Sequence, residues 1–186
     1  MISKSYSIVL AVVMAFIIAV IIYSIVVPIY LDYTIESNYL ENKNDFEKLV
    51  SFYRTLSLMD IYFHSKDKID FGMRTEADNY YEAKDIDVNS PYAIKAFTEA
   101  NISKEQLQKL YTLLEKVNSK SIGMSAFVYR DNTEYVEVTY YRSFWYHGWY
   151  YLFSPQPVKE SYIQHNSSFS DSYHAINDSV GWGRAN

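Results

Sequence analysis

The stretch IVLAVVMAFIIAVIIYSIVV, which runs from Ile8 to Val27, decides how this chain is organised. It is almost entirely apolar, and no charged residue occurs between Lys4 and Asp32. Twenty helical residues rise about 30 Å, which matches the hydrocarbon core of a bilayer. A core helix of a soluble protein would carry a polar stripe, and this segment has none. The stretch therefore predicts a transmembrane helix that contacts lipid from Ile8 to Val27.

A cleaved signal peptide is the main alternative to a permanent anchor. Its apolar region usually spans about 7 to 15 residues and precedes a small-x-small cleavage site. Here the apolar run is longer, and its last residues, SIVVPI, contain no such site. We expect an uncleaved helix that ends at Pro28, because proline disrupts a helix interior. Residues 1–30 would then form a cytoplasmic stub and a signal-anchor helix.

The charges that flank this helix predict its orientation. Lys4 and the free amine lie on one side, whereas Asp32, Glu36 and Glu41 lie on the other. Positive charge tends to remain in the cytoplasm. We therefore expect a single-pass protein of the cell membrane with a cytoplasmic N-terminus. A juxtamembrane stalk, residues 31–43, would lead to a domain outside the cytoplasm.

The composition excludes several classes of function. Lys4 is the only charged residue among the first thirty, so the remaining 156 residues carry 16 basic and 22 acidic residues, a formal charge of −6. This balance argues against a nucleic-acid partner, whose binding surfaces are usually basic. The chain has no cysteine, which rules out disulfides and thiolate metal sites and favours a bacterial envelope protein.

Motifs for catalysis or cofactor binding are absent from the sequence. Its four histidines have no metal-ligand spacing, and no nucleophile motif or glycine-rich phosphate loop occurs. The acidic pattern at Asp85, Asp87 and Asn89 resembles the start of a calcium loop, but Ser90 and Ala96 replace its required glycine and glutamate. We predict no catalytic residue, no cofactor and no metal.

The first half of the soluble part predicts a helix and a hairpin. Asn44 and Glu47 have capping-box spacing, and apolar residues then recur at helical intervals, so we expect a helix over residues 44–58. Apolar and polar residues alternate on both sides of the polar segment 65–68, which predicts a β-hairpin. A short strand with Ile86 and Val88 inward is expected next.

The second half predicts two helices followed by strands. Ser90 before Pro91 is typical of a helix start, so we expect a short helix through residue 100. The capping box that begins at Ser103 predicts a second helix over residues 104–118. Three antiparallel strands follow before residue 157. We predict an α+β domain over residues 44–157, with one antiparallel sheet and two to three helices packed on one face. Residues 158–186 should be a loosely ordered polar tail with an added strand near Tyr162. We expect Trp182 to pack back on the domain.

The segment YYRSFWYHGWYY, residues 140–151, is the strongest candidate surface. Tyr, Trp and Arg dominate interface hot spots, and aromatic rings also stack on sugars. Either these rings form a contact surface for a protein or glycan partner, or they cover the sheet as part of its core. The candidate surface residues are Tyr141, Arg142, Phe144, Trp145, Tyr146 and Trp149.

Three functional hypotheses are compatible with these features. The first is a membrane-anchored binding or interaction module of the cell envelope. The second is an immunity-type protein that neutralises a toxin at the membrane. The third is a cell-envelope hydrolase, which would need a pocket with several carboxylates.

Overall fold

The computed structural model describes residues 4–75, 77–125, 135–141, 148–154 and 174–185. The chain divides into two compact units, Met1–Ser37 and Asn38–Asn186. The first is helical throughout its described part. The second combines an eight-stranded antiparallel sheet with helices, which confirms the predicted α+β class.

The N-terminal helix continues through Pro28, where we predicted its end. Helix α1 spans Lys4–Ile21, a π-helical turn spans Ile22–Val26, and helix α2 spans Val27–Tyr53. In a regular α-helix the proline ring would collide with the carbonyl four residues back. The π-turn widens the backbone there, since the Val27 amide donates to the carbonyl of Ile22, five residues back. The prediction was wrong because this wider turn accommodates the proline.

Apolar side chains of this helix are exposed along its length. Among residues 8–26 none is buried, and Ile8 and Phe16 are 65% and 69% exposed. Such a surface is costly in water and favourable in hydrocarbon. The helix is long and apolar enough to cross a membrane, so it can anchor the protein there.

The predicted stalk is helical, because α2 includes residues 31–43. The predicted cap Asn44 lies inside α2, and the helix ends at Tyr53 rather than at residue 58. The irregularity lies instead at Asn42, which has non-helical dihedrals of φ −112° and ψ 17°. Its side-chain amide donates to the carbonyl of Asn38 at 3.0 Å, which offers the backbone an alternative to regular helix.

The sheet contains eight strands in the order β3-β2-β1-β4-β5-β6-β8-β7. Their bounds are Leu58–Ser65 (β1), Lys68–Arg74 (β2), Tyr80–Asp87 (β3), Ser121–Ser125 (β4), Tyr135–Tyr141 (β5), Gly148–Phe153 (β6), His174–Asn177 (β7) and Val180–Ala185 (β8). The predicted hairpin is confirmed as β1 and β2, in which Ser65 pairs with Lys68. The three predicted antiparallel strands are β4, β5 and β6.

The helices pack on one face of this sheet, as predicted. Directly paired residues share a face, so the row Ile61, Phe71, Ile122, Val138 and Tyr151 lies on a single side. All five side chains are buried. The ring of Phe71 contacts Phe97, and the ring of Tyr151 contacts Phe46 of α2, with centroids 4.8 and 4.6 Å apart.

Two further helices are capped as the sequence predicted. Helix α3 spans Pro91–Glu99, and the Ser90 hydroxyl accepts from the Ala93 amide at 3.2 Å. Helix α4 spans Lys104–Lys116 and begins with the capping box of Ser103 and Gln106. Both motifs satisfy backbone amides that the first helical turn leaves unpaired.

The C-terminal segment differs from the prediction of a loose tail. Residues 174–177 and 180–185 form β7 and β8, and β8 lies between β6 and β7 in the sheet. Trp182 is 5% exposed, which confirms that it packs on the domain. Its ring stacks on His174 with centroids 4.2 Å apart. The strand predicted near Tyr162 lies outside the described residues.

Candidate functional site

The predicted aromatic surface is only partly described by the structure. Trp149 lies in β6 and is 1% exposed, so at this position the surface interpretation is wrong and the core interpretation holds. The ring contacts Tyr141, with centroids 5.8 Å apart, and the guanidinium of Arg184 lies 5.9 Å from its centre. Tyr141 is half-buried at the end of β5. The other predicted residues, Arg142, Phe144, Trp145 and Tyr146, lie outside the described residues.

A cleft of about 650 Å³ opens at the end of the sheet where β5 finishes. Its walls come from the last residues of β1, the C-terminal half of α4 and its following turn, the start of β4, and the end of β5. The lining residues are Tyr62, Phe63, His64, Ser65, Tyr111, Glu115, Asn118, Ser119, Lys120, Ser121, Thr139, Tyr140 and Tyr141. Tyr141 is the predicted surface residue that reaches this cleft.

The turn after α4 forms a fixed wall of the cleft. Asn118 adopts a left-handed conformation with φ 56°, which ends the helix. The amide of Asn118 then donates to the carbonyl of Glu115 at 3.1 Å, and the amide of Ser119 donates to the carbonyl of Leu114 at 2.9 Å. These bonds satisfy the last helical carbonyls and hold the turn in one conformation.

Ser119 joins this turn to the sheet. Its side chain is buried, and its hydroxyl oxygen lies 2.5 Å from the carbonyl oxygen of Thr139 and 3.1 Å from that of Ser121. The single hydroxyl proton is shared between these two carbonyls, and the hydroxyl oxygen accepts from the Ser121 amide at 3.3 Å. One short side chain therefore connects α4, β4 and β5 where they line the cleft.

His64 is held at the mouth of the cleft by Asp70. The Nε2 atom of His64 lies 2.7 Å from Oδ1 of Asp70, which also accepts from the Asp85 amide at 2.7 Å. Partial burial favours the neutral carboxyl, but the hydrogen bonds from Asp85 and His64 outweigh it and lower the pKa of Asp70. The ring of Tyr62 meets the His64 ring edge-on at 4.8 Å. These contacts restrict the orientation of the imidazole.

The cleft carries one acid and one lysine, with different environments. Interaction with the nearby Glu115 carboxylate raises the pKa of Tyr111. Lys120 is exposed, and its ammonium has no hydrogen-bond or ion-pair partner among the residues that the structure describes. The cleft therefore presents one carboxylate and one ammonium beside half-buried tyrosine rings.

A second cavity of about 640 Å³ lies between α2 and the ends of β6 and β8. Its wall includes Lys43 and Glu47 of α2 and Arg54, which directly follows the helix. Lys43 and Glu47 approach to 4.0 Å, but both side chains are more than half exposed. An exposed pair of this kind contributes little energy and fixes no geometry. The first cleft is the better-organised candidate.

Asp60 and Glu137 both lie on the sheet face opposite the helices. Asp60 pairs with Gly72 and Gly123, and Gly123 also pairs with Glu137, so both acids lie in one row across the strands. A Cβ atom at Gly72 would collide with the Asp60 carboxylate, so this glycine makes room for the acid. Burial and then the charges of Glu82 and Asp70 raise the pKa of Asp60.

Burial also raises the pKa of Glu137, to about 7. Its carboxyl has no hydrogen-bond or ion-pair partner in the described part of the chain. No three His, Asp or Glu side chains of the described residues are arranged to hold a metal ion. The row therefore bears on the stability of the sheet, which depends on the protonation of these acids.

The cleft could not be read from the sequence because its parts are far apart. Tyr62, Tyr111, Ser121 and Thr139 belong to four different elements and share no local motif. The only local signal was the helix end near residue 118. No protein-family model, curated protein or solved structure matches the chain.

Proposed function

We propose that this protein is a single-pass membrane protein whose domain, outside the cytoplasm, binds a ligand in the cleft beside Lys120. In this proposal the bilayer surrounds the helix from Ile8 to Val27, and the N-terminus lies in the cytoplasm. The exposed apolar side chains of residues 8–26 support the anchor. The charges on either side of it support the orientation.

The observation that carries the binding proposal is the fixed geometry of the cleft. Ser119 holds the turn after α4 to β5, and Asp70 holds His64 in place. A site that is already ordered loses little conformational entropy when a ligand enters. Its volume also falls in the range of about 300–1,000 Å³ that is typical of ligand sites.

The two other hypotheses make different demands on this cleft. An immunity-type protein would use the same cleft to bind a toxin, so it is a special case of the binding proposal. A hydrolase that cleaves glycosides would need two carboxyls at the bond to be cut. Among the described lining residues only Glu115 carries one, so the geometry favours binding over hydrolysis.

Cysteine labelling tests the membrane part of the proposal. The chain has no cysteine, so a single introduced thiol is the only one that can react. We expect a membrane-impermeant maleimide to label Lys95→Cys in intact cells and to label Ser3→Cys only after permeabilisation. The reverse pattern would refute the orientation. Recovery of the full-length chain in the soluble fraction would refute the anchor.

Photocrosslinking tests the cleft in its native membrane. A photoreactive maleimide is attached to Lys120→Cys or to Lys116→Cys, which is equally exposed but does not line the cleft. After irradiation of intact cells, we expect a discrete adduct from Lys120→Cys and none from Lys116→Cys. Equal adducts from both positions, or none from either, would contradict a ligand site in the cleft.

A further inference from the structure

We infer that the ligand of the cleft is a short carbohydrate chain. This inference rests on the proposed function, because it names the ligand class of the same site. Two features carry it: the rings that line the cleft, and the polar side chains that have no hydrogen-bond partner among the described residues.

The rings suit the faces of sugars. Tyr62, Tyr111, Tyr140 and Tyr141 are all half-buried, so each is fixed by the protein and still accessible to a ligand. The face of an aromatic ring is electron-rich and attracts the partly positive C–H groups of a pyranose ring. A purely apolar ligand would match these rings but not the hydroxyl groups of Ser121 and Thr139, which also line the cleft.

Several polar side chains of the cleft are available for hydrogen bonds. Within the described residues, the side chains of Tyr62, Asn118, Ser121 and Thr139 make no hydrogen bond to protein atoms. Hydroxyl and amide groups both donate and accept, which is the pattern that sugar hydroxyls require. Lys120 and Glu115 add one charge of each sign, so the cleft has no strong field that would select a polyanion.

Calorimetry with the full-length protein tests this inference. The protein is kept in a polyoxyethylene detergent, because alkyl-glycoside detergents would themselves present sugars. The probes are tetrasaccharides of β-1,4-linked glucose, β-1,4-linked N-acetylglucosamine and α-1,4-linked galacturonic acid. We expect saturable one-to-one binding of at least one probe.

Variants then assign this binding to the cleft. Tyr62→Ala should weaken it about tenfold or more, which is the loss expected for one stacking ring. Thr139→Val keeps the side-chain shape and removes the hydroxyl, and it should weaken binding about three- to tenfold. Tyr80→Ala is the matched control, because Tyr80 is 58% exposed and does not line the cleft. It should bind the probe like the natural protein.

The outcomes separate this inference from the proposed function. The absence of saturable binding by all three probes would overturn the carbohydrate assignment, as would binding that Tyr62→Ala leaves unchanged. If Lys120→Cys still gives its specific adduct in that case, the cleft remains a binding site for another ligand class. If the adduct is missing as well, both proposals fail.

Discussion

Replacement of Glu137 by glutamine should change how the stability of the domain depends on pH. Glu137 lies on β5 between Gly123 and Leu152, on the sheet face opposite the helices. Burial raises the pKa of its carboxyl from 4.5 to about 7. The folded protein therefore holds this proton more tightly than the unfolded chain does. The stabilisation is complete below pH 4.5 and is lost as the pH rises through 7.

The size of this effect follows from the shift. Each pKa unit corresponds to about 1.4 kcal/mol, so this single group should lower the free energy of unfolding by about 2–3 kcal/mol between pH 5 and pH 8. Hydrogen bonds lower the pKa values of Asp70, Asp78 and Asp87, and those groups act with the opposite sign. Because they titrate below pH 4, they do not contribute in this range. The pKa of Asp60 is also raised, but Asp60 is present in both proteins that are compared.

Urea unfolding of the full-length protein in a polyoxyethylene detergent provides the assay. The buried Trp149 and Trp182 report unfolding through their fluorescence. Glu137→Gln should match the natural protein near pH 5, because glutamine resembles a neutral glutamic acid. At pH 8 it should be more stable by about 2–3 kcal/mol. Glu47→Gln is the control, because Glu47 is 59% exposed, and it should follow the natural protein at every pH. Equal pH slopes in the natural protein and Glu137→Gln would refute the reasoning.

Three further substitutions test the packing and the cleft. Trp149→Ala should reduce the free energy of unfolding by about 3–5 kcal/mol, as expected for a buried aromatic ring. Unchanged stability in urea would show that the ring is not part of the core. Ser119→Ala should lower the free energy of unfolding by about 1–3 kcal/mol and speed hydrogen exchange at the start of β4, because the carbonyls of Thr139 and Ser121 lose the hydroxyl proton that they share. Unchanged exchange would contradict the connecting role of Ser119. Ser103→Ala should lower the free energy of unfolding by about 1 kcal/mol in the same assay. Ser103→Asp should lower it much less, because aspartate also caps a helix.

The elements that the sequence predicted well depend on neighbouring residues. The caps at Ser90 and Ser103 require partners only three residues away, and the first hairpin closes over a two-residue turn. Such patterns are visible in any short window of sequence. The continuation of the helix through Pro28 could not be predicted, because no side-chain pattern marks the π-turn that accommodates the proline.

Long-range pairing explains what the sequence did not predict. The strand His174–Asn177 is short and polar, and β8 includes Gly181 and Gly183, so neither segment has the alternation typical of a strand. Both are ordered by pairing across the sheet, with β8 bonded to β6 on one side and β7 on the other. The same pairing buries Trp149, whose local sequence was equally compatible with a surface. The cleft depends on these long-range contacts too, since its residues come from four elements.

The place of β8 in the sheet has a consequence for the biogenesis of the protein. β6 is synthesised before β8, and its outer edge stays unpaired until residues 180–185 arrive, because β8 is its neighbour there. A nascent chain that has reached only residue 179 exposes the backbone of β6, which is a template for aggregation. The sheet can therefore be completed only after residues 180–185 have been synthesised.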